Sequence, residues 1–357
     1  MKVKNISVAA ALSLLGLATA NANELSFIAP LVKESLLLGV SEGKHNVIVG
    51  ERGHILVNQT TGDAFAENFR QVLSPANVTL TDVFSLNNFA WAVGHDATII
   101  KSSDAGLTWT LVQSDPDLDR PLLSVYFFDE KEGIAAGAYG LFYRSINGGD
   151  SWVQERHPGM LSPDDNDYLD SIKDDEAFYL EELSFISPHL NKVSASENTL
   201  YVAGEAGLLA TSSDKGKSWE RIDIGYQGSF FDVGILPNEI SLAVGLRGHM
   251  FVLATDEQLP IETCVTTSLN SVITSENKVF VAGNNGVILS IDIQKLNEDS
   301  ASAYATYDRA NIANCKRHPS VSLVNTDFSD AILGGIISNE RLLLITAGGL
   351  KTMVIEE

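Results

Sequence analysis

One sixteen-residue pattern recurs along the chain and restricts what it can fold into. It reads GHDATIIKSSDAGLTW at Gly94 to Trp109, GAYGLFYRSINGGDSW at Gly137 to Trp152 and GEAGLLATSSDKGKSW at Gly204 to Trp219. A looser copy, Gly50 to Phe65, keeps the same spacing between its first glycine and its aromatic residue. A repeat of this length indicates an architecture built from copies of one supersecondary unit.

Each copy has the composition of a turn, a strand and a hairpin. The Gly-x-x-Gly start, Gly-x-x-Ala at Gly94, predicts a tight turn, and the apolar run after it predicts a strand in a sheet. The hydroxyl and carboxylate oxygens that follow can accept backbone N–H groups in a hairpin, and the tryptophan can fold back over the sheet. This Ser-x-Asp-x-Gly-x-x-Trp signature is the Asp-box, or BNR repeat, of β-propellers. The predicted structural residues are Ser102, Asp104, Gly106, Trp109, Ser145, Asn147, Gly149, Trp152, Ser212, Asp214, Gly216 and Trp219.

The glycines that end the second strand of each repeat give the number of blades. They are Gly50, Gly94, Gly137, Gly204, Gly245, Gly283 and, in a degenerate repeat, Gly348. The sequence therefore predicts an all-β, seven-bladed β-propeller of four-stranded antiparallel blades. Leu122 to Phe127, Gly133 to Gly137, Leu141 to Arg144 and Trp152 to Gln154 are the strands expected in the third blade.

The two ends of the chain predict how the ring closes. Only Leu350 to Glu357 follow the last turn, which is room for a single strand. An apolar run, Leu25 to Ala29, precedes the first repeat. We expect this N-terminal run to supply the missing outer strand of the last blade, because closure removes an open sheet edge.

The first residues have the features of an export signal. Lys2 and Lys4 precede an apolar run from Val8 to Leu17, and Ala20-Asn21-Ala22 is a small-x-small cleavage site. We predict a signal peptide over residues 1–22, cleavage near Ala22 and a single propeller domain over residues 23–357. The mature protein is then expected to be periplasmic or secreted.

Charge narrows the class of partner. The net charge of the chain is −22, and loss of the two lysines of the signal makes it −24. Such a chain repels phosphate backbones and anionic headgroups, so we expect neither nucleic-acid binding nor membrane insertion.

Two insertions interrupt the repeat period. Residues 158–182 are rich in carboxylates, which can bind calcium, but they lack the glycine and the spacing of a calcium loop. We therefore favour a solvated acidic loop, with a short helix near Ala177 to Glu182. Residues 296–314 are polar and rich in small residues, and we expect an extended surface loop there.

The chain has two cysteines, Cys264 and Cys315. In an oxidising compartment they are a candidate disulfide pair, which would join neighbouring blades if both lie on outer strands. The sequence leaves open whether the pair is bridged. No His-x-His or Cys-x-x-Cys cluster accompanies them, so we predict no metal site.

The chain has an export signal followed by repeated Gly-x-x-Gly turns, each preceding an Asp-box. In this it resembles the photosystem II assembly and stability factor family. The resemblance covers most of residues 25–357. The Gly50-Glu51-Arg52-Gly53-His54 turn is more specific to the family than the Asp-box, which occurs in many propellers. It implies a non-enzymatic, cofactor-free and monomeric propeller that acts as a scaffold or assembly accessory. The implied partner is a membrane protein or complex on its periplasmic side, and relatives in non-photosynthetic bacteria suggest a transporter.

An enzyme is the alternative, because Asp-boxes also occur in sialidases and other glycoside hydrolases. Sialidase chemistry needs converging arginines, a tyrosine nucleophile backed by a glutamate and an aspartic acid. Arg52, Arg144, Arg247 and Tyr139 are the candidates here. However, the chain has no Arg-Ile-Pro motif, and seven repeats do not match the six blades of sialidases.

A binding surface is predicted where the glycine turns come together. Equivalent turns of a propeller emerge on one face, so the residues between paired glycines should form a ring of mixed charge. Its candidate binding residues are Glu51, Arg52, His54, His95, Asp96, Tyr139, Glu205, Arg247 and His249. The alternative is that these are ordinary solvated turn residues, with His54 and His249 entering strands as satisfied histidines.

Overall fold

Seven antiparallel sheets, formed by consecutive segments of the chain, make up the molecule. The computed structural model describes residues 35–59, 66–237, 240–253, 258–296, 314–338 and 340–355. The first three sheets comprise β1 (Leu37–Ser41), β2 (Asn46–Gly50), β3 (Ile55–Asn58), β4 (Arg70–Gln71), β5 (Leu80–Leu86), β6 (Phe89–Gly94), β7 (Thr98–Ser102), β8 (Thr110–Gln113), β9 (Leu122–Phe127), β10 (Gly133–Gly137), β11 (Phe142–Ser145) and β12 (Val153–Gln154).

Two helices, α1 (Pro163–Ile172) and α2 (Glu176–Ile186), follow the third sheet. The fourth to sixth sheets comprise β13 (Leu190–Ser196), β14 (Thr199–Gly204), β15 (Leu209–Ser212), β16 (Glu220–Arg221), β17 (Phe230–Ile235), β18 (Ser241–Gly245), β19 (Met250–Leu253), β20 (Gln258–Pro260), β21 (Leu269–Thr274), β22 (Val279–Gly283), β23 (Ile288–Ile291) and β24 (Val321–Val324). The seventh comprises β25 (Ile332–Ser338), β26 (Arg341–Thr346) and β27 (Gly349–Val354). Neither helix is long and apolar enough to cross a bilayer.

These sheets are the blades of a closed ring, as the repeats predict. The first strand of each blade packs against the first strands of both neighbours, and β25 of the last blade packs against β1 of the first. A separate apolar core fills each junction between blades. At the closing junction, Ile336, Leu343 and Ile345 of blade 7 pack against Leu37 and Ile48 of blade 1. The prediction of a seven-bladed propeller is confirmed.

The third blade matches its predicted strands to within one residue, whereas the last blade differs in detail. Ile332 pairs with Thr346, in the register that Leu269 and Gly283 share in blade 6. Thr346 is therefore the counterpart of the repeat glycine, and the assignment of that role to Gly348 is wrong. The described residues of this blade form three strands. The N-terminal strand predicted to complete it, and the export signal, lie outside the described residues.

The repeat glycines that end the second strands are required by close packing of the backbone. Gly137 has φ −168°, which is ordinary extended backbone. A Cβ on Gly137 would lie 2.2 Å from the carbonyl oxygen of Pro121, and Gly50 and Gly94 have equally close contacts. These glycines are needed because the first strand of the same blade crosses too closely for any side chain, not because of a left-handed dihedral.

The three predicted Asp-box hairpins share one hydrogen-bond pattern. In blade 4, Ser212 Oγ accepts from the backbone N–H of Gly216 at 2.8 Å, and Asp214 Oδ1 accepts from the N–H of Ser218 at 2.9 Å. The indole N–H of Trp219 donates to the carbonyl of Gly216 at 3.2 Å. The ring packs against Phe142 of blade 3, so this tryptophan seals a junction with the preceding blade as well as covering its own sheet.

The acidic insertion contains two helices, so the prediction of a mainly looped segment is wrong, whereas the short helix predicted near Ala177 to Glu182 lies within α2. Ser162 Oγ accepts from the N–H of Asp165, and the Asp175 carboxylate accepts from the N–H of Phe178, so both helices are capped. Leu161, Leu169 and Leu183 are buried between them. Residues 158–186, which we call the helical insertion, therefore have a small core of their own. The polar insertion lies almost wholly outside the described residues, since 297–313 are not among them.

Cys264 and Cys315 form a disulfide with a Cα–Cα distance of 5.7 Å. Neither cysteine lies on an outer strand. Cys264 follows β20, the last strand of blade 5, and Cys315 precedes β24, the last strand of blade 6. The bridge therefore joins the connections of two neighbouring blades, and the carbonyl of Thr263 beside it also accepts a hydrogen bond from Arg317.

Candidate functional site

Six equivalent turns connect the second and third strands of blades 1 to 6. In each of them a backbone hydrogen bond of 2.9–3.3 Å closes the turn, as from Leu141 N–H to the Ala138 carbonyl. The middle residue of each turn has left-handed φ between 51° and 58°, although none of the six is glycine. These residues are Arg52, Asp96, Tyr139, Ala206, Arg247 and Asn285. The same backbone conformation thus presents five different types of side chain in the six blades.

The turns place eight of the nine candidate binding residues where a partner could reach them. Arg52, His95, Tyr139 and Arg247 are exposed, and Glu51, Asp96, Glu205 and His249 are partly exposed. His54 is completely buried, which removes it from the predicted binding ring. The His249 ring lies 4.1 Å from that of Tyr226, between centroids, as part of an aromatic cluster.

Of these residues, the structure brings Tyr139 and Glu205 together through a histidine between them. The His189 ring meets the Tyr139 ring edge to face, with 4.6 Å between centroids. Its Nδ1 lies 3.4 Å from Glu205 Oε1. The other candidate residues belong to turns of blades 1, 2 and 5 and are spread around the face. The candidate site is therefore centred on the junction of blades 3 and 4.

A cleft of about 90 Å³ opens beside Tyr139, between the propeller and the helical insertion. The guanidinium of Arg120 lies 5.1 Å from the centre of the Tyr139 ring, a cation–π distance. Arg156 and His157 also line the cleft, and α2 forms its opposite wall. Arg120 and Arg156 make this cleft locally basic in a strongly acidic chain. The Tyr139 side chain is 46% exposed at its mouth.

The wall of the cleft is held by a network of ion pairs. Arg144 is buried, and its Nε lies 2.8 Å from Glu155 Oε1, while its Nη1 donates a hydrogen bond to the carbonyl of Lys215. Glu155 also lies 3.3 Å from His157 Nε2. Burial lowers the pKa of His157 more than the nearby Glu155 raises it. At neutral pH this histidine is therefore a neutral wall residue, and the positive charge of the cleft belongs to its arginines.

A second polar cavity, of about 340 Å³, lies on the axis of the ring. At this level of the axis, the first strand of each blade contributes one residue in the same register with its second strand, and six of these seven residues line the cavity. In blade order the seven are Gly39, Asp82, Ser124, Lys192, Asp232, Ser271 and Gly334.

The charged members of this axial ring tie non-adjacent blades together. Lys192 Nζ lies 2.9 Å and 3.0 Å from the two carboxylate oxygens of Asp82, across the axis. Asp82 also accepts from the hydroxyl of Ser124 and from the N–H of Val125. Burial disfavours the charge on Lys192, but Asp82 and Asp232 outweigh that effect and raise its pKa. Burial raises the pKa of Asp232 as well.

The arginines considered for a sialidase-like site do not converge. Arg52 and Arg247 lie in the turns of blades 1 and 5, and Arg144 is engaged in buried ion pairs in blade 3. Tyr139 faces His189 and Arg120. Among the described residues, the axial cavity is lined by no arginine and no tyrosine. The arrangement that sialidase chemistry requires is thus not assembled from the candidate residues.

One group of three possible metal ligands occurs in the described part of the chain: Glu262, Cys264 and Cys315. Both sulfur atoms are in the disulfide, and Glu262 Oε1 accepts from the backbone N–H of Cys264 at 2.8 Å. In the oxidised protein these groups are engaged with each other, and thiolates for a metal would require reduction of the bridge.

The sequence analysis identifies neither Arg120 nor His189 as a site residue, and it predicts only the central part of α2, near Ala177 to Glu182, as a helix. The available signal was position. Arg120 directly precedes Pro121 at the entry to blade 3, and His189 directly precedes blade 4, so both lie on the face where the glycine turns emerge.

Comparison with known proteins agrees with the fold and with the repeats. The sequence model of the family described as photosynthesis system II assembly factor YCF48 matches residues 29–157. A search of curated protein sequences returned no match. Among solved structures, "YCF48 bound to D1 peptide" is similar with TM-score 0.60 and 13% identity, covering 92% of this chain and 96% of that chain. YCF48 from Cyanidioschyzon merolae gives TM-score 0.62 and 15% identity, covering 91% and 97%.

A third solved structure is a larger protein. PorZ, a surface component of the type-IX secretion system of Porphyromonas gingivalis, gives TM-score 0.56 and 12% identity, covering 93% of this chain and 38% of that chain. At these identities the solved structures establish the propeller fold alone. Together with the match over blades 1 to 3, they confirm the resemblance to photosystem II assembly factors that the repeats predict.

Proposed function

We propose that this photosystem II assembly factor-like propeller is a non-enzymatic accessory that binds a protein segment on its turn face during the assembly or operation of a membrane complex. It is exported, and it meets its partner on the periplasmic side of the membrane as a monomer without a cofactor. A transporter is the partner that the resemblance of the sequence favours.

The observation that carries this proposal is the group of Tyr139, Arg120 and His189 at the mouth of the basic cleft. An exposed tyrosine held between a guanidinium and an imidazole is rigid, and it offers both apolar area and a hydroxyl. Tyrosine and arginine are enriched among the residues that dominate protein interfaces. The group thus has the composition of a binding hot spot.

Two further facts support a protein partner. One of the similar solved structures is a YCF48 bound to a D1 peptide, so a propeller of this shape has bound a peptide. The PorZ structure comes from a component of a secretion system. The peptide complex is consistent with a protein partner for this propeller, whereas the scattered arginines of this chain give no support to glycoside hydrolysis.

Affinity capture from detergent-solubilised membranes of the source organism tests the proposal. The bait is the mature protein, compared with Tyr139→Ala and with Val153→Ala, a control at an exposed apolar residue on the outer strand β12. We expect the wild type and the control to recover the same membrane protein. Tyr139→Ala should recover about a tenth or less, the loss typical of an interface hot spot.

Two outcomes would count against the proposal. If the wild type recovers no membrane protein, the accessory role fails, and equal recovery by Tyr139→Ala would remove the cleft from the interface. Turnover of an aryl glycoside or sialoside that is abolished by Tyr139→Phe or Arg247→Ala would instead establish the hydrolase alternative.

A further inference from the structure

The outer side of the helical insertion is an apolar surface without a partner in the described structure. Phe178 and Phe185 are 41% and 67% exposed. They lie seven residues apart on α2, which places them on one stripe of the helix, with the exposed Glu181 between them. The opposite side of α2 faces the cleft through Leu180 and Ser184. The two phenylalanines are therefore not part of the core of the helical insertion.

This stripe is surrounded by negative charge. Residues 158–186 contain nine carboxylates and one lysine, a net charge of −8. One of the carboxylates, Glu182, accepts a hydrogen bond of 2.8 Å from the hydroxyl of Tyr168 on α1. That bond links the two helices at their surface and orients the 41%-exposed Tyr168 ring beside α2. The surface thus combines exposed aromatic rings with a dense acidic border.

The helical insertion is fixed to the propeller, so the stripe has a defined orientation. Met160 is buried in the core between blades 3 and 4, and its carbonyl accepts a hydrogen bond of 2.9 Å from Arg221 of blade 4. After α2, the Pro188 carbonyl accepts from the N–H of Gly140, in the turn that carries Tyr139. Both ends of the helical insertion are therefore anchored, which limits the ordering cost of binding there.

We propose that this surface binds a basic amphipathic segment of the partner protein, whose apolar residues cover Phe178 and Phe185 and whose lysines or arginines meet the surrounding carboxylates. Charge complementarity selects this occupant. A second copy of the chain would bring two acidic surfaces together, and anionic lipid would be repelled. The inference rests on the proposed function, because it gives the partner a second contact, on the outer side of the helix that forms one wall of the Tyr139 cleft.

The test uses a synthetic amphipathic helix of about 18 residues, with leucine on one stripe and lysine on its borders. Its binding to the full protein is measured by fluorescence anisotropy at two salt concentrations. A second peptide carries glutamate in place of every lysine. We expect the lysine peptide to bind, to weaken as salt is raised, and to bind far more tightly than the glutamate peptide.

Matched variants locate the binding surface. The double substitution Phe178→Ser with Phe185→Ser should weaken the lysine peptide at least about tenfold, because both residues are central apolar contacts. Val153→Ser is the control, since Val153 is 68% exposed, as Phe185 is, but lies on β12 of blade 3. It should leave the affinity unchanged. Because all three side chains are exposed, the variants should also keep the melting temperature of the wild type.

Equal affinity of the double variant and the wild type would overturn this inference, as would equal binding of the glutamate peptide. Neither result would bear on the capture experiment with Tyr139→Ala. The helical insertion and the accessory role can therefore fail separately. Loss of capture by the Tyr139 variant with no effect of the phenylalanine variants on the peptide would leave the cleft as the contact.

Discussion

At the scale of the residue, the tryptophan of each Asp-box hairpin lies at a junction between blades. The Trp219 side chain is 8% exposed, and its ring contacts Phe142 of the preceding blade with 6.4 Å between centroids. We expect Trp219→Ala to cost about 3–5 kcal/mol of unfolding free energy, since it leaves a cavity at that junction. Val153→Ala, at a 68%-exposed position, should cost less than about 0.5 kcal/mol. Urea denaturation measures both, and an unchanged midpoint for Trp219→Ala would refute the packing role.

The residues of the hairpin were predictable because their roles are local. Ser212, Asp214 and Gly216 bond to backbone groups no more than four residues away, so spacing alone identifies them. Arg120 and His189 were not predictable in this way. They approach Tyr139 from other segments of the chain, and their contacts depend on how successive blades are packed. His54 shows the same limit, since the inward orientation of its side chain cannot be read from the Gly50-Glu51-Arg52-Gly53-His54 turn.

At the scale of the element, the disulfide constrains a long segment. Cys264 and Cys315 are 51 residues apart, and closing a loop of that length removes about 4 kcal/mol of conformational entropy from the unfolded chain. We expect Cys264→Ser with Cys315→Ser to lower the unfolding free energy by about 2–5 kcal/mol. Denaturation of the oxidised wild type, the reduced wild type and the double variant measures this. The last two should coincide, and a reduced wild type as stable as the oxidised protein would contradict the expectation.

The helical insertion is the element that sequence reasoning described least well. Its nine carboxylates favour solvation, and that composition masked the apolar spacing of Leu161, Leu169 and Leu183. The sequence does contain signals for the start of a helix: Ser162, followed by a proline, caps α1, and Asp175 caps α2. These caps offset the unpaired N–H groups at the start of each helix. Composition was thus a poorer guide here than the capping residues.

At the scale of the whole molecule, the number of blades followed from the repeat period, because each period encodes one sheet. What the period could not give is the axial ring, whose residues meet only when all seven blades are assembled. Lys192 and Asp82 are 110 residues apart and belong to blades 4 and 2. Nothing in their local sequence distinguishes them from other charged residues at the start of a strand.

Asp82 and Asp232 occupy equivalent positions in the axial ring, but replacing each by asparagine is expected to change the stability of the protein differently. Asp82→Asn removes the buried carboxylate that pairs with the partly exposed Lys192 ammonium, and it should cost about 1.5–3 kcal/mol of unfolding free energy. The raised pKa of Asp232 means that its ionised form is disfavoured in the folded state. Asp232→Asn should therefore change the stability at pH 7 by less than about 1 kcal/mol, or increase it, since asparagine keeps an oxygen to accept from the Val272 N–H.

The pH dependence distinguishes the two aspartates further. Because the folded pKa of Asp232 lies above its unfolded value, the wild type loses stability as the pH rises above about 4 and through that raised pKa. The Asp232→Asn variant lacks this loss, so its stability relative to the wild type should increase over the same range. Guanidinium denaturation across that pH range measures the difference. A variant that becomes relatively less stable as the pH rises would contradict the assignment.

The six left-handed turn residues have a consequence for how specificity could change. The backbone at Arg52, Tyr139 and Ala206 is the same, so a side chain can be exchanged at one of these points without reshaping the loop. Each blade can then change its contribution to the binding face independently of the others. After gene duplication, substitutions at these turn positions would alter which partner is bound while the propeller backbone stays the same.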